Sequence, residues 1–332
     1  MKIIVTGCFG FIGYNFINYL QKNYENHFYI IGIDSLESNC SKINSDKFKA
    51  INNFEFYNID ICDIETLEIN HKNIDSVINF AAESHVDNSI RYPEKFIKSN
   101  ILGASKIFKY SLNNNIKNNI HVSTDEVYGS STSSFFSEED ILNPSSPYSA
   151  SKASAEMLRN AFIKTYDMNI NVIRPANNYG IFQQPEKLIP FSIINLIMGK
   201  NIEVYGKGEN IRHWLHVEDT CSAIFSILSG EFVNEVFNIG SGEYLKNIDI
   251  AKIILENFEM NDDRLEFVQD RPGHDFRYAV DFSKLENIGW SPRHTMKESI
   301  LEIVDWYKNN DSWWKKEFEI VQKNRLERFK IS

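Results

Sequence analysis

A tyrosine and a lysine stand four positions apart in Tyr148-Ser149-Ala150-Ser151-Lys152, downstream of the run Ser123-Thr124-Asp125-Glu126-Val127-Tyr128-Gly129. On a helix that spacing puts both side chains on one face. An ammonium beside a phenol favours the phenolate, lowering a pKa that is ordinarily about 10. Such a base can take the proton of a sugar hydroxyl while a nicotinamide takes the hydride from the same carbon. Asp125 and Glu126 add two neighbouring carboxyl groups, which plain alcohol oxidation does not need. The combination points to an oxidation coupled to proton abstraction and loss of a leaving group.

A cofactor site for that step is written at the N-terminus. Lys2-Ile3-Ile4-Val5-Thr6 is a short, apolar, β-prone run, and Gly7-Cys8-Phe9-Gly10-Phe11-Ile12-Gly13 follows at once. Residues 11–20 then repeat apolar side chains at helical spacing. A G-x-x-G-x-x-G turn between strand and helix lets the backbone approach a pyrophosphate at the helix N-terminus. A second apolar run, 28–33, ends at Asp34, whose carboxylate suits the ribose hydroxyls of NAD. No arginine follows closely to receive the extra phosphate of NADP.

The elements that must position these groups alternate. Strand-like runs at 54–58, 76–80, 120–123 and 171–173 are separated by helical stretches near 94–113 and 147–167. That alternation predicts an α/β fold, a Rossmann-type doubly wound parallel sheet with ligands beyond the carboxyl ends of its strands. The glycine loop, Asp34, Asp60, Ala81-Ala82-Glu83-Ser84 and Thr124-Asp125-Glu126 all follow such strands. Residues 1–175 are read as the NAD-binding domain, with later segments crossing back to it. Residues 176–332 are read as a smaller α/β lobe for substrate, with helical stretches at 218–229, 247–258 and 295–308 and irregular segments around 185–205, 210–217 and 270–280. The amphipathic tail from Ser312 is expected to dock on the body or on a neighbouring subunit rather than serve the cofactor.

Composition narrows the partners. The chain of 332 residues has a net charge of −10, which disfavours nucleic acid and anionic membranes as partners. Its four scattered cysteines read as reduced thiols of a cytoplasmic protein. No signal peptide is evident, and the longest apolar stretch, 188–198, is too short for a membrane span. His213 and His216 form an isolated His-x-x-His, and no metal site is expected.

Further motifs follow in order: Ala81-Ala82-Glu83-Ser84-His85-Val86-Asp87, Asn177-Asn178-Tyr179-Gly180, Pro185-Glu186-Lys187-Leu188-Ile189-Pro190 and Asp270-Arg271-Pro272-Gly273-His274-Asp275. With the glycine loop, the acidic pair and the Tyr-Lys helix, they make nearly the whole chain resemble the extended short-chain dehydrogenase/reductases acting on nucleotide sugars, and among them the dTDP-glucose 4,6-dehydratases. Sugar 4-epimerases lack the acidic pair. GDP-mannose dehydratases and UDP-glucuronate decarboxylases carry serine where Asp125 stands, and CDP-glucose dehydratases tend to carry lysine in place of Glu126. The alternatives weighed are a UDP-glucose 4,6-dehydratase, another epimerase or decarboxylase of the family, and a non-catalytic NAD-binding protein.

The resemblance implies a mechanism. Tyr148, activated by Lys152 and aided by Thr124, takes the 4-hydroxyl proton as the C4 hydride passes to NAD. Glu126 then removes the C5 proton, Asp125 protonates the departing 6-hydroxyl, and the hydride returns to C6. Asp125 must hold its proton near neutral pH, which requires burial and the repulsion of Glu126. Adjacent residues of a regular strand face opposite ways, so irregular backbone is predicted from Thr124 onward. The resemblance also assigns Phe11, Ile12, Asp60, Ile61, Phe80, Ala81, Ala82, Ser99 and Asn178 to NAD beside Gly7, Gly10, Gly13 and Asp34. It assigns Ser84, Thr124, Asn177, Lys187, Leu188, Arg212, Asn247, Arg271 and His274 to the nucleotide sugar, with Glu203, Val204 and Tyr205 near its base. A homodimer through the helices near 94–113 and 147–167, and a product that feeds deoxysugars such as rhamnose, are implied as well.

Overall fold

The computed structural model describes residues 1–48, 53–69, 73–131, 134–270 and 275–326. Its strands are β1 (Lys2–Thr6), β2 (Tyr29–Asp34), β3 (Phe54–Asn58), β4 (Ser76–Asn79), β5 (Asn118–Val122), β6 (Ile170–Pro175), β7 (Asn177–Tyr179), β8 (Ile202–Tyr205), β9 (Ile211–His216), β10 (Val236–Ile239), β11 (Tyr244–Lys246) and β12 (Leu265–Val268). The helices are α1 (Phe11–Asn23), α2 (Asn39–Phe48), α3 (Val86–Arg91), α4 (Pro93–Phe96), α5 (Ala104–Asn113), α6 (Pro147–Tyr166), α7 (Leu188–Ile197), α8 (Val217–Ser229), α9 (Asn247–Asn257), α10 (Ser283–Glu286), α11 (Met296–Asn309) and α12 (Asp311–Leu326).

Among these residues a seven-stranded sheet runs in the order β10-β6-β5-β4-β1-β2-β3. Its neighbouring strands pair in parallel. Such a sheet needs cover on both faces, which is why β1 and β2 are apolar at successive positions instead of alternating. Ile3 and Val5 enter the core beneath α1 and α8, while Ile4 joins Ile31, Val77 and Ile107 on the opposite face. The strand order reverses between β1 and β4, opening a crevice at their carboxyl ends.

Two glycines shape that crevice. Gly7 has φ +63°, and a Cβ there would lie 2.7 Å from the Ala81 nitrogen beyond β4. A Cβ on Gly13 would lie 2.3 Å from the Gly7 oxygen, so α1 seats tightly under the loop.

The helix carrying Tyr148 and Lys152 is specified locally. Ser146 caps α6 reciprocally with Ser149, Pro147 opens it, and Asp167 in the left-handed region ends it. The stretch read as one helix over 94–113 is instead interrupted by a π-helical segment, Ile97–Gly103, between α4 and α5. A Cβ on Gly103 would meet the Ile61 side chain at 2.5 Å, so the glycine lets this segment press against the turn after β3.

In the second half, β7 and β11 flank β9, and β8 pairs with β12. A separate core, including Tyr179, Ile193, Ile254, Ile303 and Trp313, lies among α7, α9, α11 and α12. The segments read as irregular around 185–205 and 210–217 thus contain α7, β8 and β9. β10 returns to the large sheet beside β6. Among the described residues, no helix is long and apolar enough to cross a membrane.

Candidate active site

β5 stops at Val122, and Asp125–Tyr128 form a 3-10 turn capped by Thr124, whose Oγ1 accepts from the Glu126 nitrogen at 3.3 Å. The strand alternation that would separate the two acids is therefore gone. Glu126 lines an open cleft. Asp125 lies beneath, 2% exposed, and its Oδ2 has no hydrogen-bond partner. Burial, then the charge of Glu126, holds the Asp125 carboxyl well above its ordinary range, with Arg212 and Thr124 opposing. This acid is built to carry a proton.

Tyr148 sits against the same turn. Burial first, then Glu126, pushes the phenol above its ordinary value, opposed by a hydrogen bond with Thr124. Lys152 is buried as well, and its Nζ donates to the Val122 oxygen at 2.6 Å. Burial draws its pKa down to about 8, with Glu156 pulling the other way. The Val122 oxygen thus holds the Lys152 ammonium from the strand side of the site. The i,i+4 spacing sets a shared face; it does not set the dielectric around it.

Beneath the turn lies a polar network absent from the sequence reading. Arg174 on β6 grips Glu156 on α6, with Nη2 to Oε2 at 2.6 Å and Nε to Oε1 at 3.1 Å. Glu156 Oε1 accepts from Ser123 Oγ at 2.5 Å, and Arg174 also donates to the Tyr128 hydroxyl. Tyr128 donates to Asn238 Oδ1 on β10 at 2.8 Å. Both ends of the acidic turn are thereby tied to two strands, β6 and β10, and to α6. Glu156 stands one helical turn beyond Lys152, a signal that spacing alone offered.

On the cofactor side, Gly10 precedes α1 as an N-cap without a side chain, and no acid stands in the first turn, so the helix N–H groups remain suited to an anion. That, together with the glycine seats, fits a dinucleotide pyrophosphate. Asp34 ends β2 as expected, but it already accepts from the Phe9 nitrogen at 3.0 Å and the Leu36 nitrogen at 2.8 Å. It buttresses the glycine loop, with the carboxylate's remaining lone pairs left for ribose hydroxyls. Asp60 caps the turn after β3 and pairs with Lys98 at 2.9 Å, while Ile61 is buried in the core. Phe80 packs on Phe16, and Ala81 touches the glycine loop with Ala82 beside it. Asn178 Oδ1 accepts from Thr220 at 2.6 Å. Ser99 falls in the π-helical segment. Asn100, which the sequence reading passed over, holds Glu83 by both backbone groups and donates to Ser151 Oγ at 2.8 Å.

The substrate candidates converge. Ser84, Asn177, Lys187, Leu188, Glu203, Tyr205, Arg212 and Asn247 line the cleft with Glu126 and Asn178. Lys187 Nζ donates to the Ser84 oxygen at 2.8 Å, linking the two halves of the chain. Arg212 lies 4.6 Å over the Tyr278 ring and donates to the Asp275 oxygen at 3.1 Å. Asn177 Oδ1, Asn247 Oδ1 and Trp214 Nε1 are buried without partners on this wall. Val204 corrects the reading: it points away from the cleft into the core, because strand side chains alternate and Glu203 and Tyr205 take the open face. Arg271 and His274 lie outside the described residues.

His213 Nε2 accepts from the Ser241 and Gly242 nitrogens, and His216 caps α8, so each imidazole has a structural task. Among the described residues no cluster of histidines, cysteines and carboxylates is arranged for a metal.

A doubly wound sheet with an uncapped glycine-loop helix, a Tyr-Lys helix and a buried acid over one cleft defines an NAD-type nucleotide-sugar enzyme fold. The family described as GDP-mannose 4,6 dehydratase matches residues 4–303, and the chain belongs to it. Within that breadth, a dTDP-glucose 4,6-dehydratase of Actinoplanes sp. is 40% identical over 322 residues, covering 95% of this chain and 100% of that protein. The low-salt glycan biosynthesis protein Agl12 of Haloferax volcanii is 39% identical over 311 residues, covering 94% and 100%. The crystal structure of DesIV, a dTDP-glucose 4,6-dehydratase from Streptomyces venezuelae with NAD bound, aligns with a TM-score of 0.91 at 35% identity, covering 96% of this chain and 100% of that one.

Proposed function

We propose that this chain dehydrates dTDP-glucose to dTDP-4-keto-6-deoxyglucose with bound NAD. The observation that carries the reading is the pair of unequal acids on one turn: Asp125 enclosed, with burial and Glu126 pushing its carboxyl well above the ordinary range, and Glu126 on the cleft. Epimerisation or decarboxylation would leave the enclosed acid without a task.

The glycine loop, Asp34, Ala81, Ala82, Ser99, Asn178 and the Asp60-Ile61 turn hold NAD, which supplies a hydride acceptor for C4 and donor for C6. Tyr148 takes the 4-hydroxyl proton, with Thr124 orienting that hydroxyl. The resulting 4-ketone acidifies C5, whose proton goes to Glu126. Asp125 gives its proton to the 6-hydroxyl, and water leaves; C6 then takes back the hydride while Glu126 returns its proton to C5. Lys187 and Arg212 bind the diphosphate, and the unpartnered amide oxygens of Asn177 and Asn247 accept from ribose hydroxyls. In this reading residues 1–175 with β10 form the cofactor unit, and most of the remainder forms the substrate lobe.

The reading extends to a homodimer through the helices around 94–113 and 147–167. Ile97, Leu102 and Met157, which are 55%, 46% and 54% exposed there, support it. Four free cysteines support a cytoplasmic setting, and a 6-deoxy-4-keto product suits the supply of deoxysugars such as rhamnose.

The test is incubation of the purified protein with dTDP-glucose and, separately, UDP-glucose, followed by mass spectrometry for loss of one water. A preference for dTDP-glucose is expected. Absence of a dehydrated product from either sugar, with NAD bound, refutes the proposal.

A further inference from the structure

We infer that Arg325, on the last turn of α12, binds the nucleobase in the cleft, so that the C-terminal helix completes the substrate site. The inference deepens the nucleotide-sugar reading and rests on it.

Arg325 lines the cleft with its side chain only 14% exposed. Its guanidinium carbon lies 3.6 Å from the centroid of the Phe191 ring, the face-on placement that suits a planar cation. Nη2 reaches Glu203 Oε2 at 3.2 Å and the Tyr205 hydroxyl at 3.2 Å. Tyr205 in turn donates to Asp87 Oδ2 at 3.4 Å. The turn carrying Arg325 is tied down as well, since the Asn324 oxygen accepts from Arg91 Nη1 at 3.4 Å. An arginine held by a ring, a carboxylate and a backbone anchor is preorganised, not a stray surface cation.

Its place along the cleft decides what it meets. Glu126 acts electrostatically on Asp125, Tyr148 and Tyr278, and Arg212 acts on Asp125 and Tyr278. Among the described residues, the contacts of Arg325 are Phe191, Glu203 and Tyr205, and none of these belongs to that group. A nucleotide sugar carries its hexose and its base at opposite ends. With the hexose at Glu126, the base comes to Arg325.

The chemistry matches. Thymine and uracil present an acceptor, a donor and an acceptor along one edge. The Arg325–Glu203 pair sets charged N–H donors beside a carboxylate acceptor, which is the complementary pattern. Arg325 also pairs with Glu203, one of the acids that line this cleft beside Asp87 and Glu186.

Full-length wild type, Arg325→Ala and Arg325→Lys are compared by calorimetric binding of dTDP and by turnover of dTDP-glucose, with melting temperatures recorded. Arg325→Ala is expected to weaken dTDP by about tenfold or more, the range for a charge-assisted hydrogen bond. KM should rise by a similar factor while kcat moves far less, since no reacting atom is touched. Lysine should recover only part of the loss, because it keeps the charge without the planar fork. Inorganic pyrophosphate, which has no base, should inhibit wild type and Arg325→Ala alike. Unchanged dTDP affinity in both variants overturns the inference, and so does an equal loss for pyrophosphate, which would mark a phosphate contact. A fall in melting temperature and kcat with KM unchanged would make Arg325 merely structural. If the wild type neither binds dTDP nor dehydrates its glucose ester, the nucleotide-sugar reading itself fails and the inference falls with it.

Discussion

Asp125 and Lys152 are both buried, and burial acts on them with opposite sign. The carboxyl of Asp125 is raised by burial and Glu126, so the folded chain holds that proton more tightly than the unfolded chain. Between the ordinary carboxylate range and the raised value, folded protein binds more protons, and stability falls as pH rises. Asp125→Asn keeps a neutral side chain of similar shape and removes that slope. The variant should melt higher than wild type near neutral pH while losing roughly 10²- to 10⁴-fold in kcat, the scale of a general acid. Melting curves across pH and turnover of dTDP-glucose check both halves. Lys152 runs the other way: with its pKa drawn from 10.5 to about 8, the unfolded chain binds more protons in that window, so stability rises with pH there. Lys152→Met should flatten that rise between about pH 8 and 10.5, and a slope identical to wild type would contradict it.

At the scale of elements, the acidic turn is held by neighbours, not by its own sequence. Arg174 and Glu156 are each about 5% exposed or less and neutralise one another beneath it. Removing one partner of such a pair leaves an unpaired buried charge and costs about 3–5 kcal/mol, while replacing both with apolar residues costs far less. Arg174→Met should therefore unfold at markedly lower denaturant than wild type, and Arg174→Met with Glu156→Met should recover most of the difference. Because Ser123 and Tyr128 bond to the same pair, kcat should stay low in the double variant even where stability returns. Urea titrations and single-turnover rates separate the two effects.

For the whole molecule, α12 is one of the elements that join the halves, packing on α2. Trp313 is 2% exposed; its Nε1 donates to Asn44 Oδ1 on α2 at 2.8 Å, and its ring packs on Phe182 and Trp306. Glu317 accepts from the Asn39 nitrogen at 2.7 Å. Trp313→Ala should cost about 3–5 kcal/mol, the range for emptying a large buried aromatic site. It should also raise KM for dTDP-glucose more than it lowers kcat, because the same helix carries Arg325 to the cleft. An unchanged KM in a destabilised Trp313→Ala protein would break that link.

The sequence by itself determined the inventory and the local frames that present it. The glycine spacing before α1, the Ser146 cap of α6 and the end of β5 before Thr124 are short-range features, and neighbouring residues suffice to specify them. Long apolar runs marked the central strands. The short strands β7, β8, β9, β11 and β12 were not legible, because three to six residues of mixed polarity leave no period to read. Only the tertiary structure decided which way Val204 faces, that Asp34 braces the glycine loop, that Lys152 donates to the Val122 carbonyl, and that Arg325 reaches Tyr205 across 120 residues. Each of these is set by what surrounds a side chain rather than by what precedes it, and burial and charge in that surrounding fix a proton's affinity as firmly as the residue type does.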